Sequence, residues 1–222
     1  MISLFTLSAG LLEGGFSASL PDKDVNGTVF LVNRQLEISS EYAPEVRKTN
    51  VYGMSQFMRD DAATALEEMF TVAKEDGVNL ATVSGYRSYS RQKTIYARKR
   101  ETAGASVANS LVALPGRSEH QLGLAMDLSQ KGSSQLNTRF ASTKAGQWID
   151  NNAHQFGFIV RYPEEYEDIT GYTYEPWHVR YVGMEHATAM VKAGIPMELY
   201  ISAYRLSVLD YLIHLVPTEV LP

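Results

Sequence analysis

Three short segments of this chain carry the residues that chemistry can use: Ser84-Gly85-Tyr86-Arg87-Ser88, Ser118-Glu119-His120 running on to Asp127, and Glu175-Pro176-Trp177-His178. In order they supply an arginine, two histidines, an aspartate and a glutamate. That is the inventory of a catalytic zinc site with a general base and a cation to grip an anionic substrate end. A structural zinc is normally closed by four protein ligands, often cysteines, whereas a catalytic zinc keeps three and an open position. The chain has no cysteine, so any zinc site here is built from His and Asp/Glu. The arithmetic points to hydrolysis.

Small and turn-forming residues surround His120: Pro115-Gly116-Arg117-Ser118 before it and Gly123 after it. A loop that delivers His120, followed by a strand returning with Asp127, brings both side chains to one point. Glu175 precedes His178 by three residues, where a carboxylate can take a proton from water as a general base. Pro176 restricts Glu175 to an extended conformation. Trp177 offers an apolar wall that raises a neighbouring carboxyl pKa by disfavouring its charge. Each spacing is weak alone: Trp177 also reads as a plain core residue, and Arg87 as half of a structural ion pair. His154, His186 and His214 fall in helix-like stretches and read as surface or satisfied core histidines.

The combination is more specific than its parts. Ser-Gly-Tyr-Arg-Ser at 84–88, Ser-Glu-His-Gln-Leu-Gly-Leu-Ala-Met-Asp-Leu at 118–128 and Gly-Tyr-Thr-Tyr-Glu-Pro-Trp-His-Val-Arg-Tyr-Val-Gly at 171–183 resemble the bacterial D-alanyl-D-alanine carboxypeptidase family of zinc peptidases. That family includes the vancomycin-resistance D,D-carboxypeptidases and the L,D-carboxypeptidases that trim peptidoglycan stem peptides. The resemblance spans residues 28 to 200 and implies Zn2+ as cofactor, with His120, Asp127 and His178 as its ligands. It implies Glu175 as the catalytic base and Arg87 as the residue that steadies the scissile carbonyl and the substrate's terminal region. Gln92 and Ser118 fall near positions that line the pocket for the substrate's terminal carboxylate. The implied activity is removal of a C-terminal D-alanine (D,D or L,D) from stem peptides, outside the cytoplasm at the cell envelope. Two alternatives stand beside it: a peptidoglycan endopeptidase of the endolysin type, and a non-catalytic zinc-binding cell-wall module. The module would keep the ligands and lose the base, and Glu175 is present.

The elements that must position these residues mix helices with short strands, which predicts an α+β fold: a small antiparallel sheet carrying the zinc site, packed with helices. Val29–Val32, Leu80–Val83, Leu124–Leu128, Phe158–Tyr162 and Trp177–Val182 read as strands. Met54–Asp76, a segment from Ser88 or Ser90 through Arg100, Thr143–Gln155 and Met184–Ala193 read as helices. Gly104–Pro115 reads as looser chain, with Arg98-Lys99-Arg100 as the solvated end of the preceding helix. We expect an N-terminal lead-in over 1–23, the zinc carboxypeptidase domain over 24–205, and an apolar tail over 206–222. The tail reads as a last helix on the core or as a contact surface of an otherwise monomeric protein.

Composition agrees. The 222 residues are 45% hydrophobic and 20% charged, enough for one sizeable core. A net charge of -5 argues against a general nucleic-acid binder, which carries a basic face. Without cysteine, a disulfide scaffold and a thiolate metal site are excluded. Met1–Leu12 is apolar but lacks the basic start of a secretory signal and is too short to span a bilayer.

Overall fold

A computed structural model describes residues 26–215. The expected lead-in and residues 216–222 of the expected tail lie outside the described residues. In chain order the elements are β1 (Arg47–Lys48), β2 (Phe57–Met58), α1 (Asp60–Glu75), β3 (Leu80–Ser84), α2 (Tyr89–Leu111), β4 (Ala125–Gln130), α3 (Lys144–Asn152), β5 (Phe158–Val160), the single turn α4 (Glu167–Thr170), β6 (His178–Tyr181), α5 (Met184–Ala193) and α6 (Met197–Leu215). β3, β4, β6 and β5 form, in that order, one antiparallel sheet, and β1 pairs with β2 separately. This is the expected α+β architecture.

Alternation along the two central strands sorts core from chemistry. Successive strand residues face opposite sides, so Met126 and Leu128 of β4 and Val179 of β6 share one face and enter the main core cluster. Asp127, His178 and Arg180 take the other face. Leu66 and Met69 of α1 and Trp148 and Ile149 of α3 complete the core. α1 presents Ala62, Leu66, Met69 and Ala73 at helical spacing, with Asp60 and Asp61 in its first turn and Lys74 in its last, both matching the helix dipole. Ser88 caps α2 by accepting from the Arg91 amide at 3.2 Å, and Thr143 caps α3 by accepting from Gly146 at 3.0 Å. A second, smaller cluster around Val182, Met190, Met197 and Tyr200 fixes α5 and α6 against the sheet edge.

Four expectations change. The first helix begins at Asp60 rather than Met54, because Phe57 and Met58 pair with Lys48 and Arg47 and the Phe57 carbonyl accepts from the Tyr86 amide at 2.8 Å. The expected loose segment after Gly104 is helical to Leu111, kinked at Gly104 with φ 83°. Arg98-Lys99-Arg100 therefore lies within α2 rather than at its end. Val29–Val32 joins no strand: the carbonyls of Thr28 and Phe30 accept from the Arg180 guanidinium at 2.8 and 2.9 Å, and the Thr28 hydroxyl donates to the Val182 carbonyl at 3.0 Å. The last helix expected in the tail is seen as α6, which includes Leu206 and continues to Leu215. Among the described residues no helix is long and apolar enough to cross a membrane.

A glycine pins the sheet edge. Gly53 bridges Thr82 of β3 with φ 133°, and a Cβ there would lie 2.2 Å from the Thr82 nitrogen. A side chain therefore meets both forbidden backbone space and a backbone atom that has no room to move. Gly53→Ala is expected to lower stability by about 2 kcal/mol or more, since such backbone strain alone costs of order 1–3 kcal/mol. Urea unfolding checks this, and an unchanged midpoint would contradict it.

Candidate active site

The register of β4 on β6 sets Asp127 directly opposite His178. A bulge in β3 between Thr82 and Ser84 then places Ser84 opposite Asp127 on its other side. The chain leaves that bulge through Gly85, where a Cβ would meet the Phe57 carbonyl oxygen at 2.7 Å. The third member arrives from a 3-10 turn, Glu119–Leu122, closed by Gly123 at φ 71°. Here His120 is buried, and its Nδ1 lies 2.8 Å from the Gly85 carbonyl. A carbonyl oxygen can only accept, so Nδ1 carries the proton and Nε2 is left facing Asp127, 3.4 Å from Oδ2. His178 meets Asp127 through Nδ1, 3.0 Å from Oδ1. The two imidazoles stand edge to face, centroids 4.9 Å apart.

One nitrogen of each histidine and a carboxylate oxygen of Asp127 all lie within 4.8 Å of one another. Two imidazole nitrogens and one carboxylate oxygen are a donor set suited to zinc, and three ligands are the number a catalytic zinc takes. Their electrostatics fit as well. Burial, with Arg87 nearby, lowers His120 to about 4. Asp127 stays ionised despite its burial because both histidines draw its pKa far down. His178 is the exception: burial works against its charge, but hydrogen bonds to Asp127 and Glu119 outweigh it and raise the pKa to about 9.

Glu175 hangs at the rim, its Oε2 4.0 Å from His178 Nδ1. Its backbone is fixed by donating to the Tyr162 carbonyl at 3.1 Å and accepting from the His178 amide at 3.0 Å. Burial lifts its carboxyl to about 7, the range that suits proton exchange near neutrality. Arg87 approaches Asp127, with Nη2 3.7 Å from Oδ2 and its amide bonded to the His120 carbonyl at 3.1 Å. Its Nη1 donates to Gln92 Oε1 at 2.9 Å, while its buried Nε–H has no partner.

All seven residues singled out from the sequence (Arg87, Gln92, Ser118, His120, Asp127, Glu175 and His178) line one cavity of about 260 Å³. Ile95, Leu111, Leu136 and Trp177 give it an apolar side. A larger cavity of about 470 Å³, between α3, β5 and the α5–α6 turn, contains none of them, so size does not locate the chemistry. Gln92 is held at both ends: its Nε2 donates to the Ala113 carbonyl at 2.7 Å and its oxygen accepts from Arg87. Of the remaining histidines, His186 bonds the Tyr200 hydroxyl at 2.9 Å, and His154 lies in the lining of the larger cavity.

Sequence reasoning missed the charges behind the site. Glu119, Arg161 and Arg180 are wholly buried, and Glu119 accepts from both arginines at 2.7 Å. The signal was present: two arginines lie inside segments read as strands, and an arginine buried there requires an anionic partner, because buried charge without one is strongly disfavoured. Tyr162 also went unnoticed; its ring lies on His178 with centroids 5.0 Å apart.

Comparison with known proteins bears on what this arrangement is. The family model of VanY, D-alanyl-D-alanine carboxypeptidase, matches residues 55–184. The YodJ protein of Bacillus subtilis is 44% identical over 178 residues, covering 77% of this chain and 65% of that protein. A D-alanyl-D-alanine carboxypeptidase of Enterococcus faecalis is 37% identical over 186 residues, covering 79% of this chain and 66% of that protein. The chain thus spans just under two thirds of the length of these curated relatives. Among solved structures, the LdcB LD-carboxypeptidase aligns with a TM-score of 0.77 at 41% identity, over 82% of this chain and 88% of that one. A variant of the vancomycin-resistance D,D-pentapeptidase VanY, in complex with Zn(II), aligns with a TM-score of 0.68 at 35% identity, over 78% of this chain and 98% of that one. With that family model matched over more than half of its length, the chain belongs to the VanY family of D-alanyl-D-alanine carboxypeptidases.

Proposed function

We propose that this chain is a zinc-dependent carboxypeptidase that removes the C-terminal D-alanine from peptidoglycan stem peptides. The observation that carries the reading is the meeting of His120, Asp127 and His178 in the same cavity as Glu175 and Arg87. The Zn(II) complex of the VanY variant and a VanYB structure in complex with D-alanine-D-alanine support it by similarity. Action on peptidoglycan would take place outside the cytoplasm.

His120, Asp127 and His178 would hold the zinc, which when bound supplies Lewis acidity that polarises a carbonyl and acidifies water. Glu175 takes the proton from the attacking water and passes it to the departing amine; a carboxyl with a pKa near 7 is suited to both transfers. Arg87 supplies fixed positive charge to the terminal region of the substrate and to the oxyanion that develops on attack. Preorganised charge of this type usually provides the largest catalytic contribution. Gln92 holds the Arg87 guanidinium in place, and Ser118 lines the pocket for the substrate's terminal carboxylate. Removal of one D-alanine from a pentapeptide marks D,D specificity, and removal from a tetrapeptide marks L,D.

Zinc uptake should follow pH with a calculable sign. His178 carries a proton in the metal-free chain below about 9 and would have to release it to hold zinc, whereas His120, at about 4, has none to give at neutrality. Affinity for one zinc per chain should therefore fall about tenfold for each pH unit from 8 to 6, as expected for release of one proton per metal. Competition with a chromophoric chelator measures this, and a pH-independent affinity would contradict it.

Glu175→Gln keeps the shape of the side chain and removes the base. Zinc content should be unchanged and kcat/KM should fall by about 10²–10⁴-fold. Retention of more than about a tenth of the activity would rule Glu175 out as the base.

Amidating the substrate's terminal carboxylate leaves Arg87 without its anion, a loss of about 2–5 kcal/mol for a desolvated pair. That corresponds to a drop in cleavage of about 30-fold or more. Arg87→Ala should lower activity on both peptides and shrink the difference between them. Equal cleavage of free and amidated peptides by the native protein would favour an endopeptidase instead.

A further inference from the structure

We infer that Glu119 is a positioning residue for the metal: it holds His178 in the one tautomer that leaves Nδ1 free to coordinate. This rests on the reading of His178 as a ligand. Glu119 Oε2 lies 3.3 Å from His178 Nε2. Its Oε1 accepts from Arg161 Nε and from Arg180 Nη1, both at 2.7 Å. With two guanidinium groups on it, this carboxylate is ionised and can only accept. His178 Nε2 must therefore keep its hydrogen, and it is Nδ1, on the side of Asp127, that gives up its proton when a metal binds. His120 is set the other way round, with Nδ1 on the Gly85 carbonyl and Nε2 inward. Because Glu119 and His120 are adjacent, a single 3-10 turn delivers one ligand to the metal and the orienting carboxylate to the other.

Glu119 is itself held from behind. Arg161 continues to Glu198 of α6 through two bonds, 2.9 and 2.7 Å long. Arg180 continues to the carbonyls of Thr28 and Phe30. Two cations and two anions balance, with the arginines and Glu119 buried and Glu198 nearly so. The carboxylate cannot follow His178 if the ring turns, and α6 is thereby connected to the metal ligand through Glu198, Arg161 and Glu119.

Glu119→Gln discriminates orientation from packing. An amide offers one acceptor oxygen, which the two arginines claim, and so turns its NH₂ toward His178 Nε2. That favours the opposite tautomer, with the proton on the coordinating nitrogen. Removing an outer partner of a metal-bound histidine weakens metal binding by about 10–100-fold. Zinc dissociation constants of the folded native protein, Glu119→Gln and His178→Ala, measured by chelator competition alongside metal-free melting temperatures, give the test. The expected result is a loss of that size for Glu119→Gln and near-abolished binding for His178→Ala. A lowered melting temperature with an unchanged constant for Glu119→Gln would assign Glu119 to packing alone and overturn the inference. Unimpaired zinc binding by His178→Ala would instead overturn the ligand assignment beneath it. If Glu119→Gln does not fold, long-range ¹H–¹⁵N spectra of the zinc-loaded native protein decide: His178 protonated on Nε2 supports the inference, and protonation on Nδ1 refutes it.

Discussion

The pairing of β4 with β6 is the constraint on which the rest depends. Asp127 and His178 are opposite each other because the two strands are antiparallel and in one register. A slip of one residue would turn Asp127 into the core and bring Met126 to the metal face, since strand side chains alternate with a period of two. The register is therefore protected from both sides. Met126, Leu128 and Val179 are buried in the core cluster and gain nothing from exposure. Arg180, two residues beyond His178 on the same face, is locked to Glu119 and to the Thr28 and Phe30 carbonyls. Hydrophobic burial and ion pairing thus specify the same alignment.

Around that pair the site divides its electrostatics. Asp127 and Glu119 remain ionised in a buried setting because cations and imidazoles surround them. Glu175 sits among fewer such partners, and burial carries its carboxyl to about 7. One small cavity thus contains carboxylates of two kinds, those fixed as anions and one able to exchange a proton. Divergent environments of this sort are how a protein assigns ligand and base roles to chemically similar side chains. Arg87, largely buried with an unpartnered Nε, adds a cation whose donors are not all consumed by the protein. That is a suitable wall for an anionic substrate end.

Much of this was legible in the sequence, and the reasons for the rest are physical. The seven candidate residues were singled out because metal ligation and general-base work demand particular residue types in short motifs, and the structure gathers all seven around one cavity. The strand carrying Asp127 was legible from its apolar run Leu124–Leu128, and the one carrying His178 from the β-branched and aromatic residues of Trp177–Val182. Val29–Val32 has the same pattern yet forms no strand, because its neighbourhood serves the Arg180 side chain, a tertiary demand that local pattern does not encode. The start of α1 was misplaced because Phe57 fits a helical period as well as it fits its pairing with Lys48. Glu119 was passed over for a related reason. Its partners Arg161, His178 and Arg180 are 42, 59 and 61 residues away in the chain, and no spacing rule connects them.

The central claim is that this cavity cuts the last peptide bond of a stem peptide. Mass spectrometry of tetra- and pentapeptide stems incubated with the zinc-loaded protein addresses it most directly. The account predicts a single product lighter by one alanine residue, from one stem or both. An internal cut, or two stems returned intact by a protein that carries zinc, would contradict it.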